Sequence, residues 1–148
     1  MSNAQKVLLL TGASRGIGHA TVKRFSAAGW RVLTVSRQAF SEHCPWEGGE
    51  ENHIQLDLAD TDALMAGIAA IRDKLDGAPL HALVNNAGII GGSTSIMDLK
   101  KETLYATFEA NLFGSIYCLQ EAAKRMRTDE GGAGGCVVNM SSVAASVG

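Results

Sequence analysis

Three glycines follow an apolar run near the N-terminus, in the segment TGASRGIG at positions 11–18. The preceding residues, Lys6–Leu10, are typical of a buried strand, and a helix is predicted to begin at Gly16. Gly12 allows a tight turn out of the strand, and the later glycines let the backbone approach a phosphate and let the helix pack on the strand. The N-terminus of a helix offers unpaired N–H groups and a partial positive charge. The pattern therefore predicts a pyrophosphate-binding loop, although turns and helix caps also use glycine.

The end of the second apolar run indicates which nucleotide this loop would bind. A protein that uses NAD commonly has an acidic residue about 20 residues beyond the glycines, where it holds the ribose 2′-hydroxyl. That place holds Ser36 and Arg37, and Arg15 lies within the glycine loop itself. The planar guanidinium group of arginine suits a 2′-phosphate. The pattern favours NADP(H) over NAD(H). The alternatives left open are two solvated surface arginines and an NAD(H)-specific protein.

Further polar residues follow the other apolar runs. Asp57 comes after the third run, the segment NNAG (Asn85–Gly88) after the fourth, and Ser141 and Ser142 after the fifth. Ligands of open α/β sheets bind at the carboxyl ends of the strands, so these residues are candidates for a site. NNAG is also typical of a simple turn, and a serine at a strand end is more often a cap than a catalyst. Asn111 lies in the middle of a predicted helix, where asparagine is unfavourable, which indicates a specific role.

Apolar strands alternate with amphipathic helices along the chain, and residues 38–52 are polar and predicted to be loop. The strands are predicted at Lys6–Leu10, Arg31–Val35, His53–Leu56, His81–Asn85 and Cys136–Met140. The helices are predicted at Gly16–Ala28, Thr61–Leu75 and about Lys100–Arg127. Strands that are apolar throughout and are separated by helices imply a parallel sheet covered on both faces. The predicted fold class is α/β, with a Rossmann-type doubly wound parallel sheet in a single domain over residues 1–148.

The last predicted helix is apolar on more than one side. Its two neighbouring stripes consist of Leu104, Phe108, Leu112, Ile116 and Leu119, and of Tyr105, Phe113 and Tyr117. A helix of this kind is usually covered on more than one side. We expect the sheet to cover one side and a partner subunit to be available for the other.

Taken together, these motifs resemble those of the short-chain dehydrogenase/reductase family. The matching segments follow the family's order through nearly the whole chain: TGASRGIG (11–18), Asp57-Leu58, NNAG (85–88), Asn111 within EANLFGS, and VNMSS (138–142). The resemblance implies hydride transfer between NADP(H) and an alcohol or carbonyl substrate. It assigns the phosphates to the glycine loop, the 2′-phosphate to Arg37, the border of the adenine to Asp57-Leu58, and the ribose and nicotinamide side to residues 86–88. The implied cofactor-binding residues are Gly12, Ser14, Arg15, Gly16, Ile17, Gly18, Arg37, Asp57, Leu58, Asn86, Ala87 and Gly88.

The resemblance also implies two catalytic residues. Ser142 matches the family's serine that hydrogen-bonds the substrate oxygen, with the adjacent Ser141 as the alternative. Asn111 matches the asparagine that holds a water in the proton relay. The family's acid/base motif, Tyr-x-x-x-Lys, follows the serine, but here neither Tyr105 nor Tyr117 has a lysine four residues on. Hydride transfer to a carbonyl needs a proton donor, so these residues alone are expected to bind cofactor weakly and to be inactive.

The chain stops at Gly148, shortly after Ser142. Single α/β domains of this kind often run to about 250 residues, and a fifth strand at the end of the sheet would be an exposed apolar edge. We therefore expect a truncated part of a longer enzyme, with a sheet incomplete at its C-terminal side and a homodimer or homotetramer at full length. The alternative is a non-catalytic nucleotide-binding or sensing module.

Composition argues against several other classes of function. The net charge of −2 provides no basic surface for nucleic acid or an anionic membrane. No apolar run is long enough to span a bilayer, and the stretch before Thr11 is too short for a signal peptide, which predicts a cytoplasmic protein. The four histidines lack metal-ligand spacing, so no metal site is predicted. Cys44, Cys118 and Cys136 are predicted to be reduced, two of them buried.

Overall fold

Five strands form one parallel sheet in the order β3-β2-β1-β4-β5. The structure is a computed structural model that describes residues 5–41, 46, 48–92 and 95–147. The strands are β1 (Val7–Thr11), β2 (Arg31–Ser36), β3 (His53–Gln55), β4 (Ala82–Asn85) and β5 (Cys136–Asn139). The chain moves outward from β1 to β3 and then crosses to β4 on the other side of β1. This order is doubly wound, which confirms the predicted Rossmann-type class and puts the switch point between β1 and β4.

The central strand β1 is buried on both faces, and its side chains alternate between two cores. Leu8 and Leu10 pack in one apolar cluster with Val22 of helix α1 (Gly16–Ala27). Leu9 packs in the other cluster with residues of helix α2 (Thr61–Leu75) and of helix α4 (Gly114–Met126). A continuous run of leucines therefore supplies both layers of the core.

The two helices next to the sheet begin in different ways. Helix α2 has a side-chain cap, because the Asp60 carboxylate accepts a hydrogen bond of 3.0 Å from the backbone N–H of Ala63. At the start of α1, Arg15 is extended and no side chain caps the helix. The first N–H groups of a helix have no partners within it, so those of α1 remain available to a ligand.

The helix predicted at about Lys100–Arg127 is present without a break over residues 101–126, but it contains a π-helical turn that was not predicted. Helix α3 (Lys101–Phe108) is followed by a π-helical turn at Glu109–Phe113, and only then by α4 (Gly114–Met126). The predicted Asn111 lies inside that turn, and such turns often occur at functional sites. A short helix, α5 (Ala144–Val147), follows β5.

The side of α4 that faces the sheet is not a predicted stripe. The residues buried on this side are small or flexible: Ala110 just before α4, then Gly114, Cys118, Ala122 and Met126. A Cβ on Gly114 would lie 2.9 Å from the Leu58 Cβ, so the close approach requires a small residue. The larger stripe from Leu104 to Leu119 is exposed, from 37% at Leu119 to 50% at Phe108. The helix was predicted to face the sheet with its large apolar side chains, but it faces the sheet with its small ones.

Helices α2 and α4 are also joined by an ion pair between a buried glutamate and a half-exposed arginine. Glu121 is 3% exposed, and its carboxylate lies 3.1 Å from Arg72 of α2 and 3.3 Å from Arg125 of α4. The hydrogen bond to Glu121 raises the pKa of Arg72 above its usual value. The ion pair therefore links the two helices that cover the same face of the sheet.

Candidate functional site

A cavity of about 940 Å³ opens at the carboxyl ends of the strands, beside the switch point. Segments that follow β1, β2, β3 and β4 line it together. All the predicted cofactor-binding residues except Gly18 are among them: Gly12, Ser14, Arg15, Gly16, Ile17, Arg37, Asp57, Leu58, Asn86, Ala87 and Gly88. The volume lies within the range of about 300–1,000 Å³ that small-molecule and cofactor sites occupy.

The three glycines of the first loop are suited to their positions for different structural reasons. Gly12 has a φ of +71°, and a Cβ there would lie 2.7 Å from the Ala87 Cα, so both strain and contact require glycine. Gly18 lies behind the loop, where a Cβ would overlap the carbonyl oxygen of Gly12. Gly16 has a φ of +56° and open space on its Cβ side. The first two positions therefore let the strands and α1 pack closely, and Gly16 leaves the cavity free at the helix N-terminus.

A network of hydrogen bonds fixes the loop after β4 against the glycine loop. The hydroxyl oxygen of Thr11 accepts hydrogen bonds from the backbone N–H groups of Asn86 (3.1 Å) and Ala87 (3.0 Å). The Asn86 amide donates to the carbonyl oxygens of Thr11 (3.1 Å) and Gly12 (3.0 Å). Thr11 was not among the predicted site residues. The sequence feature that could have indicated its role is a hydroxyl side chain at the end of an apolar strand, next to the glycine motif.

The outer end of the cavity is basic. Arg15 and Arg37 both line it and are exposed, and neither forms an ion pair with any residue that the structure describes. Asp57 lines the same cavity, and its carboxylate accepts a hydrogen bond of 3.0 Å from the backbone N–H of Ala59. Ser36 at the end of β2 is buried and neutral. The surroundings of the two arginines therefore offer positive charge and a planar set of donors.

A second cavity of about 580 Å³ adjoins the first and contains both predicted catalytic residues. Ser142 and Ser141 line it at the end of β5, and Asn111 lines it from the π-helical turn. The Ser142 hydroxyl accepts a hydrogen bond of 3.2 Å from the backbone N–H of Ala144, so it caps the start of α5. Residues Asn85–Gly88 also line this cavity, which joins the two sites along the loop after β4.

The side chain of Asn111 binds the chain that leaves this loop. Its Oδ1 accepts a hydrogen bond of 2.7 Å from the backbone N–H of Ile89, and its Nδ2 donates over 2.9 Å to the Ile89 carbonyl oxygen. The backbone carbonyl of Asn111 accepts a hydrogen bond of 3.1 Å from the Ser115 hydroxyl. An asparagine is therefore needed here because it satisfies a donor and an acceptor of one residue at once.

A pair of amide side chains, the buried Asn85 and the exposed Asn139, joins β4 to β5 next to the same cavity. The Nδ2 group of Asn85 donates to Oδ1 of Asn139 (3.0 Å), its partner in the sheet register, and to the Ser115 carbonyl oxygen (3.3 Å). These bonds link the last residues of the two strands, which are partners in the sheet register. They therefore hold the segment that carries Ser142 next to the loop that follows β4.

The described residues contain no cluster of three or more histidine, cysteine or acidic side chains that could hold a metal ion. Cys118 and Cys136 are free thiols, the first buried and the second exposed, whereas Cys44 and His43 lie outside the described residues. Burial raises the pKa of Cys118 to about 12. In the parts of the chain that the structure describes, none of the helices has the length and apolar character to cross a membrane.

The sheet order, the glycine loop and the cavity at the switch point define a Rossmann-type α/β protein. A family model described as short chain dehydrogenase matches residues 6–148. The chain therefore belongs to the short-chain dehydrogenase/reductase family, which confirms the resemblance seen in its motifs.

Individual relatives agree with this assignment. Protein FixR of Bradyrhizobium diazoefficiens is 45% identical to this chain, with 95% of the chain and 51% of that protein covered. The oxidoreductase YgfF of Escherichia coli is 37% identical, with 96% and 59% covered. A Brucella ovis oxidoreductase of the family, solved with partially ordered NAD, is 46% identical at a TM-score of 0.78, with 89% of the chain and 61% of that chain covered. ElxO with NADP bound is 28% identical at a TM-score of 0.76, with 94% and 56% covered. The chain spans between half and three fifths of the length of these two curated relatives.

Proposed function

We propose that this chain forms the NADP(H)-binding part of an oxidoreductase that acts on an alcohol or carbonyl substrate. The observation that carries the proposal is the pair of arginines, Arg15 and Arg37, on the wall of one cavity, where none of the described lining residues that follow β2 is acidic. Structural relatives have been solved with NAD and with NADP, so the family alone leaves the nucleotide open. The names of relatives such as YgfF do not favour the non-catalytic alternative.

The residues present fit a dinucleotide. The uncapped start of α1 offers free N–H groups to a pyrophosphate, and Gly16 leaves open space at that point. Asn86, Ala87 and Gly88 line both cavities and therefore suit the part of the cofactor nearest the substrate. When bound, the cofactor supplies or accepts the hydride.

The chain's own residues would orient the substrate. We assign to the Ser142 hydroxyl a hydrogen bond to the substrate oxygen, for which it must leave its present bond to the Ala144 N–H. We assign to Asn111 the support of a water at the helix turn, since it lines the second cavity while its side chain is engaged with Ile89. The acid/base is not supplied by Tyr105 or Tyr117, which are followed four positions later by glutamates. We therefore expect no turnover from residues 1–148 alone.

The nucleotide assignment is tested by replacing Arg37 with alanine and titrating NADPH and NADH by calorimetry. A hydrogen bond to a charged group is worth about 1.5–3 kcal/mol, so NADPH binding is expected to weaken by about tenfold or more. NADH binding is expected to change by less than about threefold, since it lacks the 2′-phosphate. Arg24→Ala is the matched control, because Arg24 is an exposed arginine of α1 away from the cavity. Equal losses for both cofactors would contradict the assignment and favour an NAD(H)-specific protein.

We also propose that the whole protein forms a homodimer or homotetramer through its helices. The exposed apolar stripe on α3 and α4 supports this assembly, because Phe108 and Leu112 are 50% and 44% exposed. Replacement of both residues by aspartate is expected to shift the protein to a monomer in sedimentation. Unchanged sedimentation would contradict the proposed interface.

A further inference from the structure

The backbone that carries Arg37 is held by three side chains at the ends of β2 and β3. Ser36 donates from its hydroxyl to the Gln38 carbonyl oxygen over 3.0 Å. The His53 Nε2 lies 2.9 Å from that same oxygen, and the Gln55 amide donates over 3.1 Å to the carbonyl oxygen of Arg37. The guanidinium group itself has no ion-pair partner among the described residues. Its position in the cavity is therefore set by the backbone beneath it.

His53 connects this segment to the core of the sheet. A carbonyl oxygen only accepts hydrogen bonds, so the His53 Nε2 must carry the hydrogen in its contact with Gln38. With the ring neutral, Nδ1 is then an acceptor, and it lies 2.8 Å from the hydroxyl of Thr34. Thr34 is fully buried in β2 and pairs with His53 in the sheet register. The order of donors runs from the Thr34 hydroxyl through the His53 ring to the Gln38 carbonyl.

The ring also belongs to the cavity. His53, Arg37 and Gln38 line it together, at the end opposite the predicted catalytic residues. The Phe40 ring lies 6.1 Å from the His53 ring and 4.9 Å from the Trp46 ring, between centroids. The orientation of the imidazole is set by its two hydrogen bonds, one at each ring nitrogen.

We propose that His53 is a positioning residue for nucleotide selectivity, which holds the Gln38 carbonyl so that Arg37 is presented to the 2′-phosphate. This inference rests on the proposed NADP(H) binding. A backbone already fixed in its bound conformation loses less entropy when a flexible arginine closes on a phosphate. His53 therefore acts through Arg37 and makes no contact with the phosphate itself.

The test compares two probes that differ only in the 2′-phosphate, adenosine 2′,5′-bisphosphate and 5′-AMP. Calorimetry on the purified protein gives the ratio of their dissociation constants. His53→Phe keeps a planar ring but removes both hydrogen bonds, and it is expected to lower the ratio by about threefold to tenfold while 5′-AMP binding stays within about twofold. His53→Gln has an amide that can donate to the Gln38 carbonyl, and it is expected to restore most of the ratio. Thr34→Val, which removes only the hydroxyl, is expected to give a smaller loss in the same direction.

A double-mutant cycle separates positioning from a direct or merely structural role. In an Arg37→Ala background, His53→Phe is expected to leave the ratio unchanged, because the group on which His53 acts is gone. A full additional loss in that background would overturn the proposal, and so would a normal ratio in His53→Phe. A melting temperature lowered together with an unchanged ratio means that His53 is structural only, which also overturns it. A ratio near one in the unmodified protein would instead contradict the proposed NADP(H) binding, on which the role of His53 rests.

Discussion

Replacement of Thr11 by valine tests how the cavity rim is held in place. Valine has nearly the shape of threonine, so the packing of β1 is kept while the hydroxyl acceptor is lost. The backbone N–H groups of Asn86 and Ala87 then have no partner at their present positions, 3.1 and 3.0 Å from the Thr11 oxygen. A buried donor without a partner costs about 1–3 kcal/mol, so two such donors would cost about 2–6 kcal/mol. Both residues are only half-buried and can recruit some water, which places the expected loss of unfolding free energy at about 2–3 kcal/mol.

Urea unfolding followed by circular dichroism measures this loss, and a parallel thermal melt should fall by about 5–10 °C for a domain of this size. Thr11→Ser is the matched control, because it keeps the hydroxyl and loses one methyl group, at a cost of about 1 kcal/mol. NADPH affinity should also decrease in the valine variant, since the loop of Asn86–Gly88 would no longer be fixed against the glycine loop. A valine variant as stable as the serine variant would refute the reasoning.

Three further changes test other parts of the structure. Gly18→Ala puts a Cβ against the Gly12 carbonyl oxygen, so we expect a loss of about 1–3 kcal/mol in chemical unfolding, and a variant of wild-type stability would show that α1 can shift. Because burial raises the pKa of Cys118 to about 12, the native state keeps a proton that the unfolded state releases above about pH 8.5. The free energy of unfolding should therefore fall as pH rises from about 8.5 to about 12, by up to about 1.4 kcal/mol per pH unit. Urea unfolding measured at several pH values should show a smaller slope in Cys118→Ala and an unchanged slope in Cys136→Ala. Equal slopes in the two variants would contradict the assignment to Cys118. Glu121→Gln keeps the shape of a buried side chain but removes the charge that faces its two arginine partners, so we expect a loss of about 1–3 kcal/mol in urea unfolding, with an unchanged midpoint as the contrary result.

The strands and the glycine loop could be predicted because their signals are local. Burial on both faces of a parallel sheet selects continuous apolar runs, and the observed β1 and β2 lie within one residue of the predicted bounds. The order of motifs along the chain also identified the loops that line the cavity, since all of them follow strand ends.

The remaining features depend on contacts between distant segments. The side chain of Asn111 in the π-helical turn binds Ile89, 22 positions earlier, and the apolar spacing of the helix does not reveal that contact. The roles of Thr11 and His53 likewise arise from bonds to segments 75 and 15 residues away. The buried side of α4 was predicted wrongly because large apolar side chains were taken to mark the side that faces the sheet. The close approach of the helix at Gly114 requires small residues there instead.

The π-helical turn at Glu109–Phe113 also sets how this segment can change in length. Each residue of an α-helix advances the rotation by about 100°, and the wider turn accommodates one residue more than a regular turn. Loss of a single residue here would therefore restore a regular turn and leave α4 in its present orientation relative to α3. Cys118 would stay in the core, but the wider turn that places the Asn111 side chain on Ile89 would be lost. A one-residue deletion between 109 and 113 should consequently preserve the packing of α4 and abolish the contact between Asn111 and Ile89, so the length of this segment serves the site and not the core.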